Sequence, residues 1–246
     1  MGLEAVFSRW LNKFSEHLFR LVLALSQFVQ FWRSHSGQPD CKAVITANTE
    51  VQLRTKTWPE LAKWYRLALH RHWCNFGATS ITARDPKHER TWRCDMVPWS
   101  ETNTEAFAGL HNQGNRILLV FDEASSINDL VWEVAEGALT DERTEIIWLC
   151  LGNPTLSTGC FRECFGRLRH RWHTVQVDSR TVEGTNKEQL AQWIEDYGED
   201  SDFVRVRVRG EFPTQRNFPV NSARSRRQGT PHQGRGLRAS AHNHGW

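Results

Sequence analysis

Apolar residues recur in three- and four-residue steps near the start of the chain, at Leu3, Val6, Phe7, Trp10, Leu11, Phe14, Leu18, Leu21, Val22, Leu25, Phe28, Val29 and Trp32. With no Pro or Gly between Leu3 and Ser36, that spacing predicts an amphipathic helix. Its most apolar stretch, Leu18–Leu25, contains Arg20 and follows Arg9, Lys13 and Glu16, so it is too short and too charged to span a membrane. A helix packed on a sheet is the expectation, with a helix lying on a membrane surface as the alternative.

From about residue 41 the pattern changes. Lys42–Thr46 reads as a short buried strand, and Thr49 can cap the helical pattern that follows through Leu53, Trp58, Leu61, Trp64, Leu67 and Leu69. Pro59 inside that pattern should start or kink a helix. Trp92–Val97 reads as a strand and Glu105–His111 as a short helix. Ile117–Phe121 is a continuous apolar strand, Leu130–Leu139 a helix, and Glu145–Leu151 a second continuous strand. His173–Val177 reads as a strand, Lys187–Tyr197 as a helix, and Phe203–Val208 as a strictly alternating strand. Strands buried on both faces and separated by helices predict a mostly parallel sheet in an α/β fold. From Thr214 the chain carries Arg216, Arg224, Arg226, Arg227, Arg235 and Arg238 and no acidic residue, which predicts a disordered basic tail. Three zones result: 1–40, 41–213 and 214–246.

Composition changes this picture little. Apolar residues make up 39% and charged residues 24% of 246, enough for one core. Twelve Trp is high for this length, and the pattern alone offers no account of it. The formal charge of +3 does not by itself argue for nucleic acid. The six scattered Cys suggest reduced thiols in a cytoplasm. Cys160 and Cys164 with His170 and His173 are spaced too closely for the usual zinc finger.

The chemistry-bearing signal is Ile117–Phe121 followed at once by Asp122 and Glu123. Ligands bind at the C-terminal ends of parallel strands. There Asp122 would hold Mg²⁺ beside a nucleotide's phosphates, and Glu123 would orient or deprotonate the attacking water. A strand that simply ends in a polar turn is the plain alternative. The next strong strand ends in Gly152-Asn153-Pro154-Thr155. Gly152 and Pro154 suit a tight turn, and the Asn153 amide could sense a terminal phosphate or water by hydrogen bonding.

The order and wording of several motifs resemble the large terminase subunit of tailed bacteriophages. The matching stretches are 45–53 (ITANTEVQL), 106–111 (AFAGLH), 121–125 (FDEAS), 152–154 (GNP), 177–180 (VDSR), 197–202 (YGEDSD) and 208–213 (VRGEFP). The resemblance implies a P-loop NTPase-like sheet and a motor that uses Mg²⁺ and ATP to drive double-stranded DNA into a capsid. It implies a ring of identical subunits in the bacterial cytoplasm, working with a portal and a small terminase subunit. It makes Asp122 the Mg²⁺ residue, Glu123 the catalytic carboxylate, and Gly152 and Asn153 part of a nucleotide-coupling turn. Arg180 becomes a phosphate or DNA contact, with a salt-bridging Arg as the alternative.

Two features depart from that pattern. No G-x-x-x-x-G-K-[ST] occurs upstream of Lys42; the nearest Lys-Thr, Lys56-Thr57, lies after the first matching strand and has no preceding glycines. The acidic cluster of a two-metal nuclease has no place after Pro213. These departures predict an α/β core incomplete on its N-terminal side, with little or no hydrolysis by itself, as in a truncated prophage remnant. A non-catalytic DNA-binding or motor-assembly module, and an unrelated α/β protein, are the other readings.

Overall fold

The computed structural model describes residues 40–68, 71–98, 110–138, 140 and 142–214. The helix expected near the start and the basic tail after Thr214 lie outside the described residues, as do residues 105–109 of the expected short helix.

Strand β1 (Lys42–Ala47) is followed by one helical turn (Glu50–Gln52), a π-helical segment (Leu53–Thr57) and helix α1 (Trp58–Leu67). Three short strands come next, β2 (Cys74–Phe76), β3 (Ser80–Ala83) and β4 (Arg93–Met96). Then follow β5 (Arg116–Asp122), α2 (Asp129–Ala138) and β6 (Glu145–Leu151). Three helices close the described chain, α3 (Cys160–Phe165), α4 (Lys187–Tyr197) and α5 (Asp202–Arg207).

The six strands form one sheet in the order β2-β3-β4-β1-β5-β6. β1 runs parallel to β4 and to β5, and β5 runs parallel to β6. β3 is antiparallel to both of its neighbours. The mostly parallel α/β class read from the apolar runs is therefore the fold observed. β2 and β3 have no counterpart in the sequence pattern.

The sheet is covered on both faces. On one, Ile45, Ala47, Leu118 and Val120 pack with Leu53, Trp58 and Leu61. On the other, Val44, Ile117, Leu119 and Phe121 pack with Val131, Trp132, Ala135 and Phe161. Trp132, Trp148 and Trp172 gather around this second face, with Phe121 edge-on to Trp132 and Trp148 at 5.0 and 5.1 Å. Part of the high Trp content is thus a single aromatic cluster. α4 and α5 make a satellite core from Leu190, Val204 and Val208.

Helix starts follow local chemistry. Thr49 Oγ1 accepts from Gln52 N at 3.1 Å, Asn186 Oδ1 from Gln189 N, and Ser201 Oγ from Val204 N, as N-caps do. Pro59 lies in the first turn of α1. It has no N–H to return to the preceding turn, and the backbone widens just before it, with Trp58 N donating to Leu53 O.

Two expected strands are absent. Phe203–Val208 is the helix α5. Val204, Val206 and Val208 are all buried, but Val204 and Val208 are also four residues apart and share one helical face toward Leu190. The Ser201 cap, Asp202 in the first turn, and Arg205 and Arg207 in the last turn favour the helix further. His173–Val177 pairs with no described strand. Val175 is 57% exposed, so the segment has no apolar face to bury. It runs beside the end of α5, where Gln176 Nε2 donates to Arg209 O and Ser179 N to Val208 O.

A contrast on adjacent elements tests the core assignment. Leu118→Ala, at a fully buried position of β5, should lower stability by about 2–5 kcal/mol. Leu130→Ala, at an exposed position of α2, should change it by less than about 0.5 kcal/mol. Urea unfolding of both variants measures the difference.

Candidate functional site

The parallel strands β1, β5 and β6 end at the same edge of the sheet, with Ala47 opposite Asp122 and Asp122 opposite Leu151. The loops that follow them are joined there by hydrogen bonds and by one close backbone approach.

Asp122 is the first polar residue after five buried ones in β5. Its Oδ1 accepts from Glu123 N at 3.0 Å, and its Oδ2 accepts from Thr57 Oγ1 at 2.6 Å. Thr57 is 2% exposed. The carboxylate is therefore held by one local donor and by one that is 65 residues away in the chain. Glu123 turns the chain with φ +52°. A left-handed conformation in a non-glycine residue costs about 1–3 kcal/mol and persists where the surroundings enforce it. A short 3₁₀ turn, Ala124–Ser126, follows.

Gly152 supplies part of that enforcement. A Cβ placed on it would lie 2.9 Å from Ala124 N and 3.3 Å from Glu123 Cα. Only hydrogen fits between the two loops. Ser125, 6% exposed, joins them further. Its Oγ accepts from Thr155 N at 3.1 Å, from Leu156 N at 3.2 Å and from Thr155 Oγ1 at 3.1 Å. Asn153 turns the β6 loop, its carbonyl accepting from Thr155 N at 2.8 Å, with Pro154 buried beside it.

The structure thus brings Asp122, Glu123, Gly152 and Asn153 to one loop cluster. Arg180 is engaged elsewhere. Its Nε donates to Asp178 Oδ1 at 3.0 Å, its Nη2 to Asp178 Oδ2 at 2.6 Å, and its Nη1 to Glu199 Oε1 at 2.8 Å. None of these bonds reaches the ends of β5 or β6. Lys187 Nζ closes the same segment, donating to the carbonyls of Ser179, Arg180 and Val182 and to Thr185 Oγ1. Hydrogen bonds from the Arg180 guanidinium hold the Asp178 carboxyl below its usual range, against partial burial.

Sequence reasoning missed Thr57 and Ser125 as members of the cluster. In the sequence Thr57 is visible only as half of a Lys-Thr pair in the wrong place. Ser125 lies within the motif 121–125, but nothing local shows that its partners are thirty residues on.

Mg²⁺ usually keeps several waters and takes one or two carboxylates plus substrate phosphates. Asp122, with lone pairs left on both oxygens, and the adjacent Glu123 fit that demand. Among the described residues no group of three or more His, Cys, Asp or Glu offers a fuller metal cage. The phosphate chain is not matched. A phosphate cradle needs glycines whose backbone N–H groups converge, and the segment between β1 and α1 has none. The helical turn after β1 is also closed, because Thr49 caps Gln52 N.

Four parallel strands with helices on both faces, and paired loops at their C-terminal ends, define a mostly parallel α/β fold. The particular likeness is to large terminases of phages. The "Probable terminase, large subunit" of Enterobacteria phage P7 is 25% identical over 71% of this chain and 37% of that protein. Two crystal forms of the large terminase from a thermophilic bacteriophage match with TM-scores of 0.53 and 0.54 at 12% identity, covering 79% of this chain. A complex of that same thermophilic phage protein with ADP gives 0.52. The chain spans less than half the length of each of these proteins. No protein-family model matches it. The resemblance to phage large terminase subunits holds in sequence and in fold.

Two measurements test the loop contacts. Ser125→Ala should lower stability by about 1–3 kcal/mol, because Leu156 N loses its acceptor. It should also speed hydrogen exchange at Leu156 while leaving β1 protected; unchanged exchange would show that the hydroxyl does not tie the loops. Asp178 stabilises the 178–187 segment above the ordinary carboxylate pKa of about 3.9. That stabilisation is lost as pH falls through its depressed folded value. Protection from exchange in this segment, relative to the intrinsic rate at each pH, should therefore fall below about pH 4 in the wild type, and Arg180→Met should remove most of that dependence.

Proposed function

We propose that this chain is a portion of the ATPase core of a phage DNA-packaging terminase large subunit. The observation that carries this reading is the backbone contact of Gly152 with Glu123 and Ala124. It seats the Asn153 turn against the Asp122–Glu123 turn, as a phosphate-sensing loop beside a metal-holding strand end would require. Asp122 would hold Mg²⁺, Glu123 would orient or deprotonate the attacking water, and Asn153 would link the site to the rest of the motor. A bound Mg²⁺ would supply charge neutralisation at the phosphates. The likenesses to the phage P7 protein and to the thermophilic phage's large terminase support the family, and the latter's complex with ADP supports a nucleotide as the ligand class.

Double-stranded DNA, a portal, a small terminase subunit and further copies of the large subunit would be its partners, in the cytoplasm of a bacterial host. No described helix is long and apolar enough to cross a membrane. Without a glycine loop and its Lys, phosphoryl charge goes unneutralised, a loss on the order of 10³ or more in rate. Little or no hydrolysis is therefore expected from this chain alone.

The test is Mg²⁺-dependent nucleotide binding and ATP hydrolysis by the purified chain, with and without double-stranded DNA, beside a double variant Asp122→Ala, Glu123→Ala. Weak Mg²⁺-dependent nucleotide binding, lost in the variant and with no turnover, is the expected result. Turnover that disappears in the variant would overturn the expectation of little or no hydrolysis. Binding of neither nucleotide nor DNA would overturn the terminase-core reading. Salt-sensitive DNA binding that ignores nucleotide would favour an assembly or DNA-binding module.

A further inference from the structure

We propose that Thr57 is the positioning residue of the Asp122 site, its buried hydroxyl setting the carboxylate for a divalent cation. This rests on the reading of Asp122 as a cation ligand, but Thr57 is new to it.

The geometry favours a positioning role over incidental pairing. Thr57 is 2% exposed and its Oγ1 lies 2.6 Å from Asp122 Oδ2. Glu123 N takes the other oxygen at 3.0 Å. Two donors on two oxygens fix the plane of the carboxylate while leaving a lone pair on each for an ion. The contact also depends on an irregular backbone. The π-helical segment Leu53–Thr57 ends at Thr57, just ahead of Pro59, and π-turns of this kind occur often at functional sites. Its anchors, Leu53 at 0% and Trp58 at 5% exposure, flank Thr57 in the core. The hydroxyl is therefore carried to Asp122 by a rigid element rather than a loose loop.

The Lys56-Thr57 pair that sequence order set aside thus places its Thr beside the carboxylate-ended strand. There the hydroxyl acts through Asp122, with the ion on the remaining lone pairs. Lys56 is exposed and takes no part in the proposal.

The probe is Mn²⁺ alone with the full chain, free Mn²⁺ being counted by electron paramagnetic resonance. The wild type should bind one ion, and Asp122→Asn should lose it. Thr57→Val should weaken binding about 10- to 100-fold, the usual effect of removing a hydrogen-bonding partner of a ligand. Thr57→Ser, which keeps the hydroxyl, should stay within about threefold of the wild type. Should Thr57→Val fail to fold, the wild type still decides the matter. Substoichiometric Mn²⁺ should broaden the amide signals of Thr57, Asp122 and Glu123 before others.

Wild-type affinity in folded Thr57→Val, no Mn²⁺ binding by the wild type, or broadening centred elsewhere would each overturn the proposal. Because neither nucleotide nor DNA is present, the Mn²⁺ pattern can hold while binding of both fails. In that case the terminase-core reading falls and the Thr57 assignment stands.

Discussion

β5 pairs from Ile117 to Asp122 with β1 on one side and along its whole length with β6 on the other, and each side chain from Ile117 to Phe121 is at most 2% exposed. The run so enclosed cannot carry a charge. Asp122, the last paired residue of β5, is the first position after it, and it is only partly exposed. A partly buried carboxylate needs donors, and Glu123 N and Thr57 Oγ1 provide them. The same constraint bends the chain sharply at Glu123 and brings the β6 loop against it through Gly152. The loop cluster is thus a consequence of where the buried strand stops.

The parts legible in the sequence were those set by unbroken runs of like residues. Ile117–Phe121 and Glu145–Leu151 read as parallel strands because apolar side chains on both faces leave no other soluble arrangement. Lys187–Tyr197 was legible to the residue, having a cap at Asn186 and a glycine after Tyr197. Failures came where the pattern was short. Val204, Val206 and Val208 satisfy a two-residue and a four-residue period together, and the Ser201 cap decided for the helix. β2 and β3 span three and four residues, too few for periodicity to register, and they exist by pairing onto β4. At the site, the carboxylates and the Gly-Asn-Pro turn were visible because they follow strands at once. Thr57 and Ser125 were not, since a hydrogen bond across 65 or 30 residues leaves no local trace.

β6 differs from β5 in a telling way. Its side chains after Glu145 are all apolar, the pattern of a strand covered on both faces, yet all remain only partly buried. Glu145 N donates to Asn115 O, so the alternating ladder directs the backbone groups of Ile146, Trp148 and Cys150 away from β5. No described strand meets them. The composition of β6 is that of an inner strand, whereas its position in the described sheet is at an edge. An apolar edge of this kind is a template for further strand pairing.

This asymmetry bears on the chemistry. A phosphate-transferring site draws its metal-holding end and its phosphate-holding end from different strands of one sheet. Around Asp122 the described sheet is closed, with β1, β5 and the Thr57–Asp122 bond forming one hydrogen-bonded unit. It is open on the side beyond β6, and no glycine loop stands among the described residues at this edge. On the proposed reading, the hydrogen bonds on Asp122 would supply orientation, and rate would depend on a low-dielectric, donor-lined wall at the edge beyond β6.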